Sequence, residues 1–145
     1  MTGTARHSVS VAAVIVGGED QVLLIRRRDN GHWEPPGGVL ERDESIEEGL
    51  RREVHEEIGA DVLVEKLTGV YKNMTRGVVA LVFRCLLVSA PAGASAEAAS
   101  VEWKSVAEIE MLMSDAFAVR VLDALDGASS PHVRAHDGTR VMSSD

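Results

Sequence analysis

The sequence predicts a single α/β domain in which strands and helices alternate. Two apolar stretches, residues 9–16 and 21–28, flank a Gly-Gly-Glu-Asp segment that is typical of a β-hairpin turn. The apolar period then changes from two to about four over residues 43–58, which predicts an amphipathic α-helix. The apolar positions of this helix are Ile46, Leu50, Val54 and Ile58. A length of 145 residues fits one domain with its own core.

The remaining segments extend this pattern. Residues 29–38 are rich in Gly, Pro and Asn and predict a shaped loop. Further along, the sequence predicts strands over 61–71 and 78–88, a small-residue loop over 89–100, and helices over 106–113 and 115–125. From Gly127 onward there is no apolar period. We therefore expect a domain over residues 1–126 and a mobile tail over residues 127–145.

Composition and charge limit the function classes. The chain has 15 Lys and Arg against 23 Asp and Glu, a net charge of −8, which argues against a long nucleic acid as partner. No apolar run reaches the length of a membrane span. The polar N-terminus lacks the features of a signal peptide, so we expect a cytoplasmic protein. The single cysteine, Cys85, lies in an apolar stretch and is expected to be a buried, inert thiol.

The predicted helix carries a cluster of carboxylates. Glu53, Glu56 and Glu57 are spaced i, i+3, i+4, so the three side chains share one patch of the helix surface. A helical wheel at about 100° per residue places them beside the apolar stripe instead of opposite it. A solvated Glu-rich face is the structural alternative. Crowded, partly desolvated carboxylates take up protons or bind a cation, and oxygen ligands suit Mg²⁺.

Residues 38–60 resemble the Nudix box, G-x5-E-x7-R-E-U-x-E-E-x-G-U, in which U is a bulky aliphatic residue. The matching positions are Gly38, Glu44, Arg52, Glu53, Val54, Glu56, Glu57 and Gly59, and Ala60 departs from the final aliphatic position. The resemblance implies an α/β/α sandwich with a mixed sheet. It also implies hydrolysis, dependent on Mg²⁺ or Mn²⁺, of a nucleoside diphosphate linked to another moiety.

The resemblance further implies residue roles. Glu53, Glu56 and Glu57 match the family's metal ligands, whereas Glu44 and Arg52 match a structural ion pair. The general base is either Glu53 or Glu97, since many members carry a later acid before a Trp-containing segment. For substrate binding we select Arg26, Arg28, Trp33, Gly37 and Gly38, all close to the box in sequence. Trp33 stacks on a base or pins the loop to the core, and Tyr71 and Asn73 are base-pocket candidates from position alone.

Several alternatives remain open from sequence. One is a binding or regulatory Nudix domain without turnover, which the intact acid set disfavours. Another is isomerase chemistry on an isoprenyl diphosphate, for which no cysteine lies in a suitable motif. Among substrates, the Trp-Glu-Pro-Pro-Gly-Gly loop is similar to that of sanitising members and favours a nucleoside triphosphate, including a damaged one. ADP-ribose and dinucleoside polyphosphates are the other candidates, and a homodimer is an expected assembly.

The acidity of the chain is concentrated in one segment. Residues 41–57 hold eight acidic and three basic side chains, a local charge of −5. Such an excess is the charge of a metal site before its cations bind, and it would admit a small phosphate ester only with those cations.

Overall fold

A computed structural model describes residues 5–142 of the chain; residues 1–4 and 143–145, which include the ends of the polar N-terminus and of the expected tail, lie outside the described part. Eight strands form one mixed sheet with three helices. In chain order the elements are β1 (Ser8–Val16), β2 (Val22–Arg27), β3 (Trp33–Glu34), β4 (Gly37–Val39), α1 (Ile46–Ile58), β5 (Val62–Asn73), β6 (Val78–Leu87), β7 (Ala98–Lys104), α2 (Val106–Leu112), α3 (Asp115–Leu125) and β8 (His132–His136).

Strand order brings distant segments together. The sheet runs β3-β2-β1-β6-β5-β8, with β4 paired to β1 and β7 paired to β2. The β1–β6 and β5–β8 pairs are parallel and the other pairs are antiparallel. The predicted β1–β2 hairpin is confirmed, with a 3₁₀ turn over Gly18–Asp20 between the strands. The sheet is therefore mixed, as the resemblance implies.

Side chains on the central strands alternate between two cores. On β1, Val11, Ala13 and Ile15 join one buried cluster with Leu50, Val54 and Ile58 of α1. Val14 and Val16 face the opposite side, where α2 and α3 contribute Ile109, Val121 and Ala124. Because successive strand residues point to opposite faces, one strand serves both cores. The architecture is the expected α/β/α sandwich.

Helix α1 begins and ends at strong sequence signals. The Ser45 hydroxyl accepts a hydrogen bond from the N–H of Glu48, and the Glu48 side chain accepts one from the N–H of Ser45, a capping box. Gly59 ends the helix in the left-handed region, at φ 64°. These caps fix the helix register and therefore the positions of its three glutamates.

Two expectations for the C-terminal part are wrong in detail. The predicted loop over 89–100 ends early, because Ala98 already begins β7, which pairs with β2. The tail beyond residue 126 contains β8, whose parallel pairing with Gly69–Asn73 of β5 extends the sheet. A strand of five residues is too short to show an alternating apolar pattern, so the sequence does not predict β8. Within residues 5–142 no helix is both long and apolar enough to cross a membrane.

Candidate active site

The site forms where β4 faces the last turns of α1. β4 pairs closely with β1, and a Cβ on Gly37 would collide with the carbonyl oxygen of Val11. On the helix side, a Cβ on Gly38 would lie 2.5 Å from Cδ of Glu53. The two glycines therefore let the strand backbone approach both β1 and the helix carboxylates, as their permissive backbone allows. Gly37 and Gly38 lie at the predicted site.

Two of the three helix glutamates are buried and one is exposed. Glu57 retains 3% of its accessible surface and Glu53 retains 9%, whereas Glu56 is exposed. The N–H of Gly37 donates to Oε2 of Glu57 at 3.4 Å. Burial, followed by the charges of Glu53 and Glu34, raises the pKa of Glu57 to about 9. The predicted position at the core edge is confirmed, and a cation beside Glu57 would restore its charged form.

Arg52 joins the site to the loop before α1. Its Nε and Nη2 donate to the two oxygens of Glu44 at 2.9 and 2.7 Å. Nη1 lies 3.0 Å from Glu53 and 3.2 Å from Glu56. The bidentate pair holds the pKa of Glu44 well below its usual range, at about 2. The ion pair expected from the resemblance is present, and one guanidinium faces several carboxylates.

Gly49 explains how that loop fits against the helix. A Cβ at this position would collide with Leu40 and would stand 2.7 Å from Oε1 of Glu44. A larger residue would push the loop away from α1. Gly49 therefore lets the loop before α1 approach the helix closely.

The three helix glutamates offer ligand atoms that suit a divalent cation, although the three carboxylates do not lie together as one compact group. Their oxygens are hard ligands, and the excess negative charge is offset within residues 5–142 by Arg52. The set is nevertheless more open than Asp123, Asp126 and His132, whose ligand atoms all lie within 4.8 Å of one another.

The tighter cluster is already engaged with a protein cation. Both oxygens of Asp123 accept from Arg134, at 2.7 and 2.8 Å, and Tyr71 donates to Asp123 at 2.7 Å. His132 contacts Asp126 at 2.7 Å. Because Arg134 occupies the carboxylate of Asp123, this cluster is a structural network that fastens β8 to α3, and we assign it no metal.

A cavity of about 340 Å³ opens beside Glu57. The residues that line it include Arg27, Arg28, Glu34 and Glu97. Arg28 donates from Nε to the carbonyl of Ser95 at 2.9 Å and from its backbone N–H to the carbonyl of Glu97 at 3.0 Å. The structure therefore brings the predicted residues Arg28 and Glu97 to the same cavity as Glu57, although β7 and the loop before it follow α1 by some forty residues.

Arg26 and Trp33 do not line this cavity or the larger one beside it. Alternation along β2 predicts that Arg26 and Arg28 share a face, but the pairing with β7 shifts register between Arg26 and Arg27. Arg26 instead donates to the carbonyl of Gly31 and lies over the Trp33 ring. Lys104 Nζ lies 4.5 Å from the same ring. Of the two roles weighed for Trp33, the geometry favours packing of the loop.

A larger cavity of about 480 Å³ adjoins the first, because Arg27 and Glu34 line both. Its wall includes Gly37, Gly38 and Asn73, together with apolar residues of α3 and β6. Asn73 is thus where position alone suggested, whereas Tyr71 is fully buried and donates to Asp123 instead. Tyr71 is not a residue of the cavity wall.

Sequence reasoning missed three residues of these cavities. Glu34 lies between Trp33 and Pro35, and burial raises its pKa despite the Arg27 guanidinium 3.1 Å away. Alternation along β2 places Arg27 on the opposite face from Arg26 and Arg28, the two arginines selected for substrate binding. Arg120 of α3 lines the larger cavity, and no local pattern marks it. The position of Glu34 inside the loop rich in Gly and Pro is the one sequence signal for any of the three residues.

The fold and the site together define an α/β enzyme in which one helix carries three neighbouring carboxylates. The sequence matches the NUDIX domain over residues 6–125. It is 53% identical over 141 residues to a MutT-like protein of Streptomyces ambofaciens, a match that covers 97% of this chain and 91% of that protein. The chain belongs to the Nudix family, and it is a hydrolase of phosphoric anhydride bonds.

Other similar proteins differ in the substrate that they are named for. The chain is 31% identical over 116 residues to an ADP-ribose pyrophosphatase of Methanocaldococcus jannaschii, covering 75% of this chain and 69% of that one. It is 26% identical over 125 residues to a Bacillus subtilis protein provisionally assigned as an 8-oxo-dGTP diphosphatase, covering 86% and 84%. The crystal structure of a MutT protein from Methanosarcina mazei has a TM-score of 0.73 at 27% identity, covering 89% and 100%.

The cytoplasmic location and the homodimer stay predictions from sequence.

Proposed function

We propose that the chain hydrolyses nucleoside triphosphates, damaged ones included, to a nucleoside monophosphate and pyrophosphate. The observation that carries the proposal is the set of Glu53, Glu56 and Glu57 beside a glycine-rich strand, with a cavity that continues away from them. A triphosphate chain fits the acidic end, and a nucleoside fits the larger cavity. The relative in Bacillus subtilis named for 8-oxo-dGTP supports the same substrate class.

Glu53, Glu56 and Glu57 would hold the divalent cations, Mg²⁺ or Mn²⁺. When bound, such cations neutralise the phosphate oxygens and acidify a coordinated water. Arg52 positions the carboxylates of Glu53 and Glu56 through its two contacts, and Glu44 in turn orients Arg52. Gly37 and Gly38, whose strand forms part of the wall of the larger cavity, would offer backbone groups to the phosphates. Arg28 supplies a positive charge at the wall of the smaller cavity.

Glu97 is the proposed general base, and Glu53 is the alternative. Glu97 is exposed at the cavity, and within the described residues its carboxylate has no hydrogen-bond or ion-pair partner. A carboxylate free of other contacts can accept a proton from the attacking water. Glu53 is already bound by Arg52 and enclosed by Gly38. Replacement of Glu97 by Gln is therefore expected to lower kcat with little change in KM.

The substrate assignment is tested by product analysis. Purified protein with Mg²⁺ would be incubated with nucleoside triphosphates, 8-oxo-dGTP, ADP-ribose and dinucleoside polyphosphates, and products resolved by ion-exchange chromatography. Pyrophosphate and a monophosphate from a triphosphate support the proposal. Release of orthophosphate alone, or an untouched panel, would contradict it.

A matched pair of variants tests the metal ligands. Glu56→Gln is expected to lower activity by at least about 100-fold, since it removes a ligand charge. Glu47→Gln makes the same change on the exposed face of the same helix, where the carboxylate lies 3.9 Å from Arg51, and is expected to retain activity. Equal activity of the two variants would show that the ligands are assigned wrongly.

A second candidate function is hydrolysis of ADP-ribose. The specific observation in its favour is the 31% identity to the Methanocaldococcus jannaschii enzyme of that name. The same carboxylates would serve, because ADP-ribose also contains a pyrophosphate linkage. A nucleoside triphosphate and ADP-ribose would place different groups in the larger cavity. Substitutions in the wall of that cavity therefore distinguish the two candidate functions.

A further inference from the structure

Arg120 is a cation in the wall of the larger cavity that lacks an anionic partner. Within residues 5–142 it forms no ion pair within 4 Å, although the charge of Glu34, in the same cavity wall, acts on it from farther away. Its Nε is buried without a hydrogen-bond partner, and its one hydrogen-bond contact joins Nη2 to Nε2 of His136 at 3.0 Å. Arg120 is half-buried, and an arginine partly removed from water is normally paired, because desolvation of a charge is costly.

The contact with His136 does not satisfy Arg120. The backbone N–H of Gly138 donates to Nδ1 of His136 at 3.0 Å. Burial and the Arg120 charge lower the pKa of His136, which keeps the ring neutral, and a neutral imidazole has only one acceptor nitrogen. With that nitrogen used by Gly138, Nε2 carries a proton toward another donor. A neutral His136 thus cannot accept from both Gly138 and Arg120, and Nε of Arg120 has no hydrogen-bond partner within residues 5–142.

Aromatic rings hold the guanidinium in place. Its carbon lies 4.7 Å from the centre of the Phe117 ring and 5.2 Å from that of Tyr71. Such stacking stabilises a cation and orients its donors without consuming them. Although burial lowers the pKa of Arg120 to about 10, the group stays charged near neutral pH. The two rings thus hold the N–H donors of Arg120 in a fixed orientation.

Apolar side chains beside Arg120 suit a flat ring, and the same cavity is also lined by Arg27 and Arg76. Met113, Phe117 and Val82 line the same cavity, and its volume is about 480 Å³. Of the helix carboxylates that suit the phosphates with their cations, Glu57 lines the adjoining cavity, whose wall shares Arg27 and Glu34 with the larger one, and Glu53 lies against Gly38 in the wall of the larger cavity. A nucleotide with its anhydride at the glutamates would place its base in the larger cavity.

We propose that Arg120 reads the base of the substrate and selects a purine with a 6-carbonyl, guanine or hypoxanthine, over adenine. The proposal rests on the proposed function, because it places a nucleotide across both cavities. A guanidinium has donors only, so it pairs with the carbonyl oxygen of such a base. Adenine carries an amino group at the same position, which would meet Arg120 donor to donor. A 6-carbonyl preference also favours a guanine nucleotide over ADP-ribose.

The sharpest test compares inosine and adenosine triphosphates, which differ only at that edge of the ring. The wild-type chain is expected to hydrolyse ITP with a kcat/KM about tenfold above that for ATP. Arg120→Met, which keeps an unbranched apolar stem, is expected to bring that ratio near one. Arg76→Met removes a positive charge from the same cavity wall and is expected to leave the ratio at the wild-type value.

Three results would overturn the proposal. A wild-type ratio near one between the kcat/KM values for ITP and ATP would exclude selection at this position of the base, and no variant is needed to find it. An equal loss for both nucleotides in Arg120→Met assigns Arg120 to the phosphates or the ribose. A lower unfolding temperature with an unchanged ratio assigns it to structure. If Arg120→Met does not fold, Arg120→Gln is the second variant, because its amide oxygen can accept from the amino group of adenine, and an unchanged ratio there also counts against the proposal.

Failure of the proposed function gives a result different from failure of the base-reading proposal. Calorimetry with inosine and adenosine monophosphates measures base selection without turnover. Tighter binding of the inosine nucleotide, lost in Arg120→Met, with no hydrolysis of any nucleotide, supports base reading and contradicts the proposed function. Hydrolysis of ITP and ATP at equal rates, with equal binding of both monophosphates, contradicts base reading alone.

Discussion

The carboxylate of Glu53 lies directly against the backbone of Gly38. A Cβ at position 38 would stand 2.5 Å from Cδ of Glu53 and 2.6 Å from each of its oxygens, closer than side-chain carbons approach in real structures. The atoms that would yield are the end of a flexible side chain, not backbone. A substitution at Gly38 therefore moves the carboxylate and spares the fold.

We predict that Gly38→Ala lowers kcat/KM by about 100-fold, because a displacement of about 1 Å at a reacting centre has that effect. The unfolding midpoint should change little. Gly18→Ala is the matched control, since nothing lies within 4 Å of a Cβ built on Gly18. Steady-state kinetics and thermal unfolding of both variants check the prediction. Wild-type activity in Gly38→Ala would mean that the position of Glu53 is unimportant for turnover.

The guanidinium of Arg52 contacts several carboxylates at once, so we predict that a positive charge alone at this position does not support full activity. Arg52→Lys retains the positive charge but cannot contact both oxygens of Glu44 while also reaching Glu53 and Glu56. We expect activity to fall between about 10- and 100-fold through misplaced carboxylates. Arg42→Lys in the same loop, where the side chain is exposed, should behave as wild type. Equal kinetics for the two variants would argue against a positioning role.

Local patterns made α1 and its acids predictable from sequence. The four-residue apolar period, Ser45 with Glu48, and Gly59 all lie within the helix or next to it, so no distant contact is needed to read them. The same period placed Glu57 at the core edge. The burial that raises the pKa of Glu57 confirms this reading, although Glu34 as a neighbour was not foreseen.

Features that depend on distant pairing were not predictable. The register shift between Arg26 and Arg27 arises where β2 meets β7, more than seventy residues later. Arg120 acquires its environment from Tyr71 and His136, which no local pattern connects to α3. β8 is held by pairing with β5 and has too few residues to show a period. Each miss concerns a contact between segments far apart in the chain.

The pKa of Glu44 predicts a pH-dependent contribution to stability. Arg52, followed by the N–H of Glu41, lowers that pKa to about 2 from an ordinary value of 4.5. A folded-state pKa below the unfolded one stabilises the fold above about pH 4.5, and the contribution is lost as the pH falls toward 2. Glu44→Gln should therefore unfold at a lower temperature than wild type at pH 7.

Acidification is expected to narrow the difference between Glu44→Gln and wild type. Thermal unfolding of both proteins from pH 7 to pH 3 measures it. Glu110→Gln, which alters an exposed carboxylate of α2, is the control and should show a small difference at every pH. A gap between Glu44→Gln and wild type that stays constant down to pH 3 would contradict the assigned pKa.

Cys85 is expected to be unreactive in the folded protein. It is fully buried on β6, and burial raises the pKa of its thiol to about 12, so almost no thiolate exists at neutral pH. Labelling with a thiol-reactive disulfide at pH 8 should be slow in buffer and fast in concentrated urea. Because the chain has one cysteine, the signal needs no correction. Rapid labelling of the native protein would show that β6 opens or is misplaced.

The C-terminal strand contributes to stability through Arg134. This residue of β8 makes two hydrogen bonds to Asp123, which retains 6% of its accessible surface. Arg134→Met leaves a buried carboxylate with Tyr71 as its one remaining short contact among residues 5–142, at 2.7 Å. Removal of one partner from a buried ion pair costs about 3–5 kcal/mol, and partial exposure of Arg134 reduces the expected loss to about 2 kcal/mol. Urea unfolding measures the loss, with Arg140→Met, an exposed change beyond β8, as the control. If both variants unfold at the wild-type urea concentration, β8 does not fasten to the domain, and the expectation of a mobile tail is restored.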